Sequence, residues 1–566
     1  MKKCTVNNIC HKARFIIYKR MAEIFIRKTE ADMSVIRLNQ VGYMESLPKN
    51  VILLSKAQVD LKDADNNVIR RYKGGELAFD EASGDYVRSI ELGTLHSGSY
   101  KICCDGEERK VNIGKNTYRG ALNLMVRSFY LQRCGCELKE EFAGVYQHAA
   151  CHFKKAFLYE QPEKSIDVSG GWHDAGDFGR YTGPAASAIG HMLYAYKFFS
   201  ASFADSLHIP ESGNGVPDVL NECRYELEWL LKMQREDGGI YHKVSTKNFA
   251  PFIMPQDDLE PEYVLPASHC ATGAVSACFA LASEVWSELD PEFSEKLKNA
   301  AVNAWNWLEM NPEFKPYMNP EDIHTGMYGD RTDKDEILWA AAELYALTGE
   351  KKYLEKMAKL FDELPYITAF GWNDVSGFAT MKCVLELQEK IPHSTYENLK
   401  NRLFKAADNI VNVCRMSGYG TDITKDGYIW GSTMSIMNGA CVLISAYLCE
   451  KNAVYLENAL NQINYLFGMN TVDTCFVTGT GEKPFMNPHH RACASDGIED
   501  PIPGFVSGGP NNKWCYPQTR EKLGNETAPA KYYLDETFSA DTNEVAIYWN
   551  SIAVFVCAFF DSLSAL

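Results

Sequence analysis

Asp174 and Asp177 stand three residues apart in the stretch 167–181, DVSGGWHDAGDFGRY, joined by the small Ala175-Gly176 pair. Two carboxylates at this spacing can share one water. One takes its proton while the other orients it, which is what a hydrolase using water directly needs. On spacing alone the pair fits equally well a turn with two solvated acids, or a calcium loop. Gly170, Gly171, Gly176 and Gly179 favour a tightly shaped site. Far downstream, Glu544 opens the apolar run Val545-Ala546-Ile547, which reads as a buried helix continuing through Phe559. An acid beside apolar groups has a raised pKa, and that suits a proton donor at neutral pH. A glutamate that merely complements a helix dipole fits the same residues.

Other residue groups point to metals. Cys134, Cys151, His152 and His173, spaced Cys-x16-Cys-His-x20-His, supply four soft or borderline ligands, enough for a closed tetrahedral zinc site. Buried free cysteines and a hydrogen-bonded histidine are the plainer reading of that spacing, and Cys136 is a spare thiol nearby. The acidic run 330–336, DRTDKDE, has the density of hard oxygen ligands that calcium uses, without the pattern of an EF-hand. Acids at a helix N-terminus explain it too. Trp372, Tyr428 and Trp430 are candidates for stacking on a sugar ring.

These residues need a scaffold to bring them together. With 566 residues, 46% hydrophobic and 23% charged, the chain is long enough for a large core and two domains. From residue 34 to about 115, short runs such as VILLS, QVDLKD and GSYKICC alternate with turn residues such as Asp65-Asn66-Asn67, the pattern of a small β-sandwich. From about residue 116 the period becomes helical, with Leu220, Cys223, Leu227, Leu230 and Leu231 on one face. About twelve such segments follow, including 182–203, 216–234, 269–288, 334–347, 375–388, 434–449, 453–467 and 543–562.

The formal charge of −17 argues against nucleic-acid or anionic-membrane partners and suits a neutral substrate. No run of eighteen apolar residues suggests a membrane span. Residues 1–33 read as a tail without the apolar stretch of a secretory signal. Eighteen cysteines scattered through helical segments fit a reducing compartment. A cytoplasmic location is therefore expected, with secretion as the alternative. No dockerin-like repeat or further carbohydrate-binding module is evident after the last helix.

Three segments in one order resemble the signatures of glycoside hydrolase family nine, the inverting cellulase family. They are DVSGGWHDAGD, then FVTGTGEKPFMNPHHR at 476–491, then LDETFSADTNEVAIYWNS at 534–551. Lesser matches include DGGIYHKVS and MYGDRTDKDEILWAAAELYALTG. The resemblance implies an immunoglobulin-like sandwich followed by an (α/α)6 barrel with its site on the loops at one end. It implies that Asp177 is the general base, that Asp174 helps hold the water, and that Glu544 is the general acid. Acid and base should then stand roughly 6.5–9.5 Å apart. His489 and Arg491 should bind a sugar near the cleaved bond, with Trp430 stacking there and Asp535 supporting the site. The zinc tetrad and a calcium site at Asp335, Glu336 and Asp374 are implied as well. One departure bears on substrate preference: Ala540 stands where the family usually carries an aromatic residue. The expected activity is inverting hydrolysis of β-1,4-glucosidic bonds in soluble cello-oligosaccharides. An endo-β-1,4-glucanase, an exo-β-glucosaminidase and a catalytically decayed carbohydrate-binding protein are the alternatives.

Overall fold

The computed structural model describes residues 34–565, so the expected tail at 1–33 lies outside the described residues. Two sheets face each other between Ile36 and Gly114. One has the strand order β1 (Ile36–Arg37), β3 (Asn50–Leu53), β7 (Tyr86–Glu91), β6 (Ala78–Phe79). The other runs β2 (Tyr43–Met44), β9 (Glu107–Gly114), β8 (Gly98–Cys104), β4 (Val59–Lys62), β5 (Val68–Tyr72). Inward residues Ile36, Val51, Leu53, Val59, Leu61, Ile102, Val111 and Ile113 form their common core. The sequence reading missed β9. Its hairpin with β8 turns at Asp105 (φ 52) and Gly106 (φ 84), the Asp-Gly pair favoured where both turn residues need positive φ.

Twelve helices of ten or more residues follow among the described residues. In chain order they are α1 (Arg119–Tyr130), α2 (Thr182–Phe199), α3 (Asp218–Lys232), α4 (His269–Trp286), α5 (Pro291–Met310) and α6 (Lys334–Thr348). Then come α7 (Lys351–Glu363), α8 (Ser376–Leu385), α9 (His393–Met416), α10 (Ser432–Cys449), α11 (Ala453–Leu466) and α12 (Ile547–Ser562). The even-numbered helices touch in sequence, α2 to α4, α6, α8, α10, α12 and back to α2, closing an inner ring. The odd-numbered helices pack outside it. This is the (α/α)6 barrel.

Residue type sorts the two rings. Inner helices are buried on most sides and rich in small residues, which lets neighbours approach closely; α12 is buried at every position from Ile547 to Asp561. Outer helices are one-sided: α7 buries Tyr353, Met357, Leu360 and Phe361 and turns its lysines outward. Among the described residues α10 alone is long and apolar enough to span a membrane, but it belongs to the inner ring. Its composition is that of a core helix.

The sequence reading gave the second domain no sheet, yet a small one stands beside the barrel mouth. Its order is β11 (Gln161–Ile166), β10 (Ala156–Leu158), β14 (Tyr263–Val264), β13 (Lys243–Ser245), β12 (Arg180–Tyr181). It joins the end of the Asp174–Asp177 loop to the 246–262 loop. The sandwich is tied to the barrel by buried polar contacts. Arg109 pairs with Asp473 at 3.1 Å and Glu482 at 2.8 Å. Asp80 accepts from the Gly418 amide at 2.8 Å, and the Tyr419 hydroxyl donates to Asp85 at 2.7 Å.

Candidate active site

The loop 167–181 is held mainly through its backbone. The amide of Trp172 donates to Glu226 (2.6 Å), that of His173 to the Gln132 carbonyl (2.8 Å), and that of Asp174 to the Gly179 carbonyl (3.0 Å). Arg180 donates to the carbonyls of Val168 and Gly170 and pairs with Glu262 at 2.7 Å. Gly176 is required by close approach: a Cβ there would lie 1.9 Å from the His489 carbonyl oxygen. Asp174 and Asp177 end up 1% and 7% exposed.

Glu544 arrives on a strap. The expected helix from residue 543 does not form. A short turn, Ala540–Asn543, precedes Glu544, and α12 begins only at Ile547. Between them, Glu544, Val545 and Ala546 are extended and bridge His489, Ser507 and Ala175 respectively. The Gly508 amide donates to the Glu544 carbonyl, and the Ile547 amide to the Asp174 carbonyl, each at 2.8 Å. These lateral bonds replace the helical ones, so an apolar run that looks helical is drawn out across the site. The strap brings the backbone of the Glu544 segment against that of Asp174 across some 370 residues of chain.

The three carboxyls have different partners. Tyr181 donates to Asp177 Oδ2 at 3.0 Å, and the Gly179 amide does so at 3.3 Å. Tyr328 donates to Asp174 Oδ2 at 2.5 Å, whereas Asp174 Oδ1 meets no donor among the described residues. The indole N–H of Trp430 donates to Glu544 Oε2 at 2.9 Å. Burial pushes all three acids up. For Asp174 the charge of Asp177 adds to it. For Asp177 the Arg491 guanidinium and the Tyr181 hydroxyl oppose it. Glu544 is raised to about 8, by burial first and the Asp177 charge second.

The histidine segment lies alongside. His489 donates from Nδ1 to the Thr537 carbonyl at 2.6 Å. Arg491, 8% exposed, donates to the carbonyls of Ala250 (2.6 Å) and Gly176 (2.9 Å). Asp535 accepts from the amides of Met486 and Asn487 and from the Asn543 side chain, so its oxygens buttress the His489 loop. Trp430 has its N–H on Glu544 and its ring edge-on to Tyr516, an arrangement not anticipated for a stacking residue. Trp372 packs against Tyr328, and Tyr428 is core, 1% exposed.

Sequence reasoning missed Tyr181, Tyr328, Phe249, Phe252 and Tyr516. Phe249 and Phe252 expose nearly half their surface and flank the Arg491 guanidinium. Tyr328 sits at φ 47, a left-handed conformation that costs a bulky residue about 1–3 kcal/mol and gathers at functional sites. Only its place in the MYGDRTD match marked it beforehand.

The expected Cys–His group is gathered, whereas of the expected calcium trio Asp335, Glu336 and Asp374 only Glu336 joins a cluster of ligand atoms. Ligand atoms of Cys134, Cys151, His152 and His173 lie within 4.8 Å of one another in a buried cluster, and neither His152 nitrogen has a hydrogen-bond partner among the described residues. Cys136 is outside this set. Two thiols and two imidazoles so gathered fit a tetrahedral ion. At the second place, the ligand atoms within 4.8 Å of one another are those of Cys270, Asp330 and Glu336, a thiol with two carboxylates. Asp335 accepts from the Val375 amide (2.9 Å) and Asp374 from the Ser376 amide (3.0 Å) at its flank.

Comparison with known proteins agrees with this geometry. The profile described as glycosyl hydrolase family 9 matches residues 118–557, and that of the cellulase N-terminal ig-like domain matches residues 31–109. A cellodextrinase of Butyrivibrio fibrisolvens is 36% identical, over 92% of this chain and 99% of its own length. A thermostable endoglucanase from Alicyclobacillus acidocaldarius superposes with a TM-score of 0.87 at 33% identity, covering 94% of this chain and 100% of that one. A Zn-binding triple mutant of the family 9 endoglucanase J30 gives a TM-score of 0.86 at 32% identity, covering 91% and 99%. Matched over most of its length by the family profile, the chain is a member of glycosyl hydrolase family 9, a glycoside hydrolase preceded by its immunoglobulin-like domain.

Proposed function

We propose that this enzyme hydrolyses β-1,4-glucosidic bonds in soluble cello-oligosaccharides with inversion. Asp177 acts as base on a water that Asp174 helps hold, and Glu544 acts as acid on the departing oxygen. The strap that docks the Glu544 segment onto the Asp174 loop carries the reading, because it sets an acid with a raised pKa against the loop that bears Asp174 and Asp177. The likeness to a cellodextrinase supports the choice of short oligomers. Cellopentaose and chitosan oligomers, with products resolved over time, test it. Cleavage of the glucan alone, with the α-anomer first in proton NMR, is expected. Cleavage of chitosan alone, or early β-anomer, overturns it.

The group Cys134, Cys151, His152 and His173 is the proposed holder of a structural zinc ion, which would supply fixed geometry to the loop carrying Asp174. Its four donors leave no position for water. Oxygens of Asp330, Asp335, Glu336 and Asp374 suit calcium at the second place. Metal analysis of protein purified without chelator should find about one zinc per chain, the number one such tetrad holds. Finding none overturns the zinc assignment.

A further inference from the structure

Beyond the four donors, a fifth side chain reaches the Cys–His group from a different loop. Asp258 lies on the 246–262 loop between β13 and β14 and is 8% exposed. Its Oδ2 stands 3.5 Å from His152 Nε2. Neither that oxygen nor either nitrogen of His152 has a hydrogen-bond partner among the described residues. Asp258 Oδ1 accepts from the Glu260 amide at 3.3 Å, which fixes the turn. The nearby cation Arg180 is engaged with Glu262, Val168 and Gly170. A buried carboxylate oxygen without a donor is costly, and His152 is the group it faces. The backbone of His152 is in the left-handed region, φ 45, an uncommon conformation for a side chain of this size.

We propose that Asp258 is a positioning residue for the metal group. It accepts the Nε2–H of His152, fixes that tautomer, and leaves the Nδ1 lone pair for the ion shared with Cys134, Cys151 and His173. Carboxylates behind ligating histidines commonly set ring orientation and basicity in this way. The inference rests on the zinc reading above. It also ties the ion to two loops that frame the site: His173 precedes Asp174, and the Asp258 loop carries Phe249 and Phe252 against Arg491.

The test is zinc affinity of the full chain, measured by competition with a coloured chelator. Asp258→Ala should weaken binding roughly 10- to 100-fold, the usual effect of losing such a partner. Asp258→Asn, which keeps a neutral acceptor of the same size, should weaken it less, and decides the matter if the alanine variant does not fold. Asp257→Asn removes the adjacent exposed charge and should leave affinity unchanged. Wild-type affinity in both Asp258 variants, or equal weakening in the Asp257 variant, overturns the inference while leaving the zinc reading intact. A wild-type chain that takes up no zinc overturns both.

Discussion

Asp177 and Glu544 are both carboxyls enclosed by protein at one site, yet their surroundings drive them apart. Asp177 receives a tyrosine hydroxyl and a backbone amide and feels the Arg491 charge, all of which favour the ionised form. Glu544 receives one indole N–H and faces the Asp177 charge, so it keeps its proton to about pH 8. Burial and the Arg491 charge act on both; what differs is the number of donors aimed at each and the Asp177 charge that Glu544 faces. A base and an acid can thus be made from the same functional group by its neighbours. This contrast can be broken at either end.

The largest effect is expected from Asp177→Asn, because an amide cannot accept the proton of water. General-base catalysis contributes about 10²- to 10⁴-fold, and turnover should fall by about that much. Melting temperature and cello-oligosaccharide affinity should stay near wild type. Near-normal turnover in a folded variant would show that Asp177 is not the base.

Next comes Glu544→Gln, which should impair cellotetraose far more than an aryl cellobioside whose leaving group needs little protonation. Equal losses on the two substrates would remove Glu544 from the acid role. The same variant reads the pKa through stability. Glu544 holds its proton more tightly in the folded chain, to about pH 8, than its ordinary value of 4.5. Its contribution is therefore full below about 4.5 and lost as pH rises to about 8. The glutamine variant carries no such loss. Its melting temperature should rise relative to wild type between pH 5 and pH 8, and a constant difference would contradict the raised pKa.

How much of this was legible beforehand follows from where the stabilising contacts lie. α11 was expected at 453–467 and spans Ala453–Leu466, because helical periodicity is a local property. The Asp174–Asp177 loop and the Cys–His group were readable as motifs, the latter mostly through the family likeness. The conformation of Glu544 was not. Val545 and Ala546 look helical in one dimension, and only Ser507 and Ala175, far away in sequence, draw them out. Tyr328, Trp430 as a donor to Glu544, and Asp258 escaped for the same reason: each acts on a residue more than 100 positions away. Strand β9 was a different failure, a local Asp-Gly turn signal passed over.

A smaller effect should come from Tyr181→Phe, which removes one donor from Asp177 and leaves Glu544 untouched. A hydrogen bond to a charged group is worth about 1.5–3 kcal/mol. The Asp177 pKa should rise, so the acidic limb of kcat/KM should move to higher pH and the rate at its acid end should fall about 10-fold or more. The basic limb should stay in place. An unmoved acidic limb would mean that the tyrosine does not tune the base.

The smallest effect, and the sharpest probe of the contrast, is expected from Trp430→Phe. Phenylalanine keeps an aromatic face for a sugar but loses the N–H that reaches Glu544 Oε2. That N–H favours the ionised acid and so holds its pKa down against burial. Without it the pKa should rise further above about 8, and the basic limb of the pH–rate profile should move up. Near neutrality Glu544 is already protonated, so the rate there should change by less than about 3-fold, below the 1.4 kcal/mol that makes a tenfold difference. Trp430→Ala removes both functions and should add a rise in KM if the ring also packs on a sugar. A basic limb that stays put in the phenylalanine variant, with KM raised only in the alanine variant, would make Trp430 a stacking residue alone. The burial of Glu544 and the charge of Asp177 would then be left to set the acid.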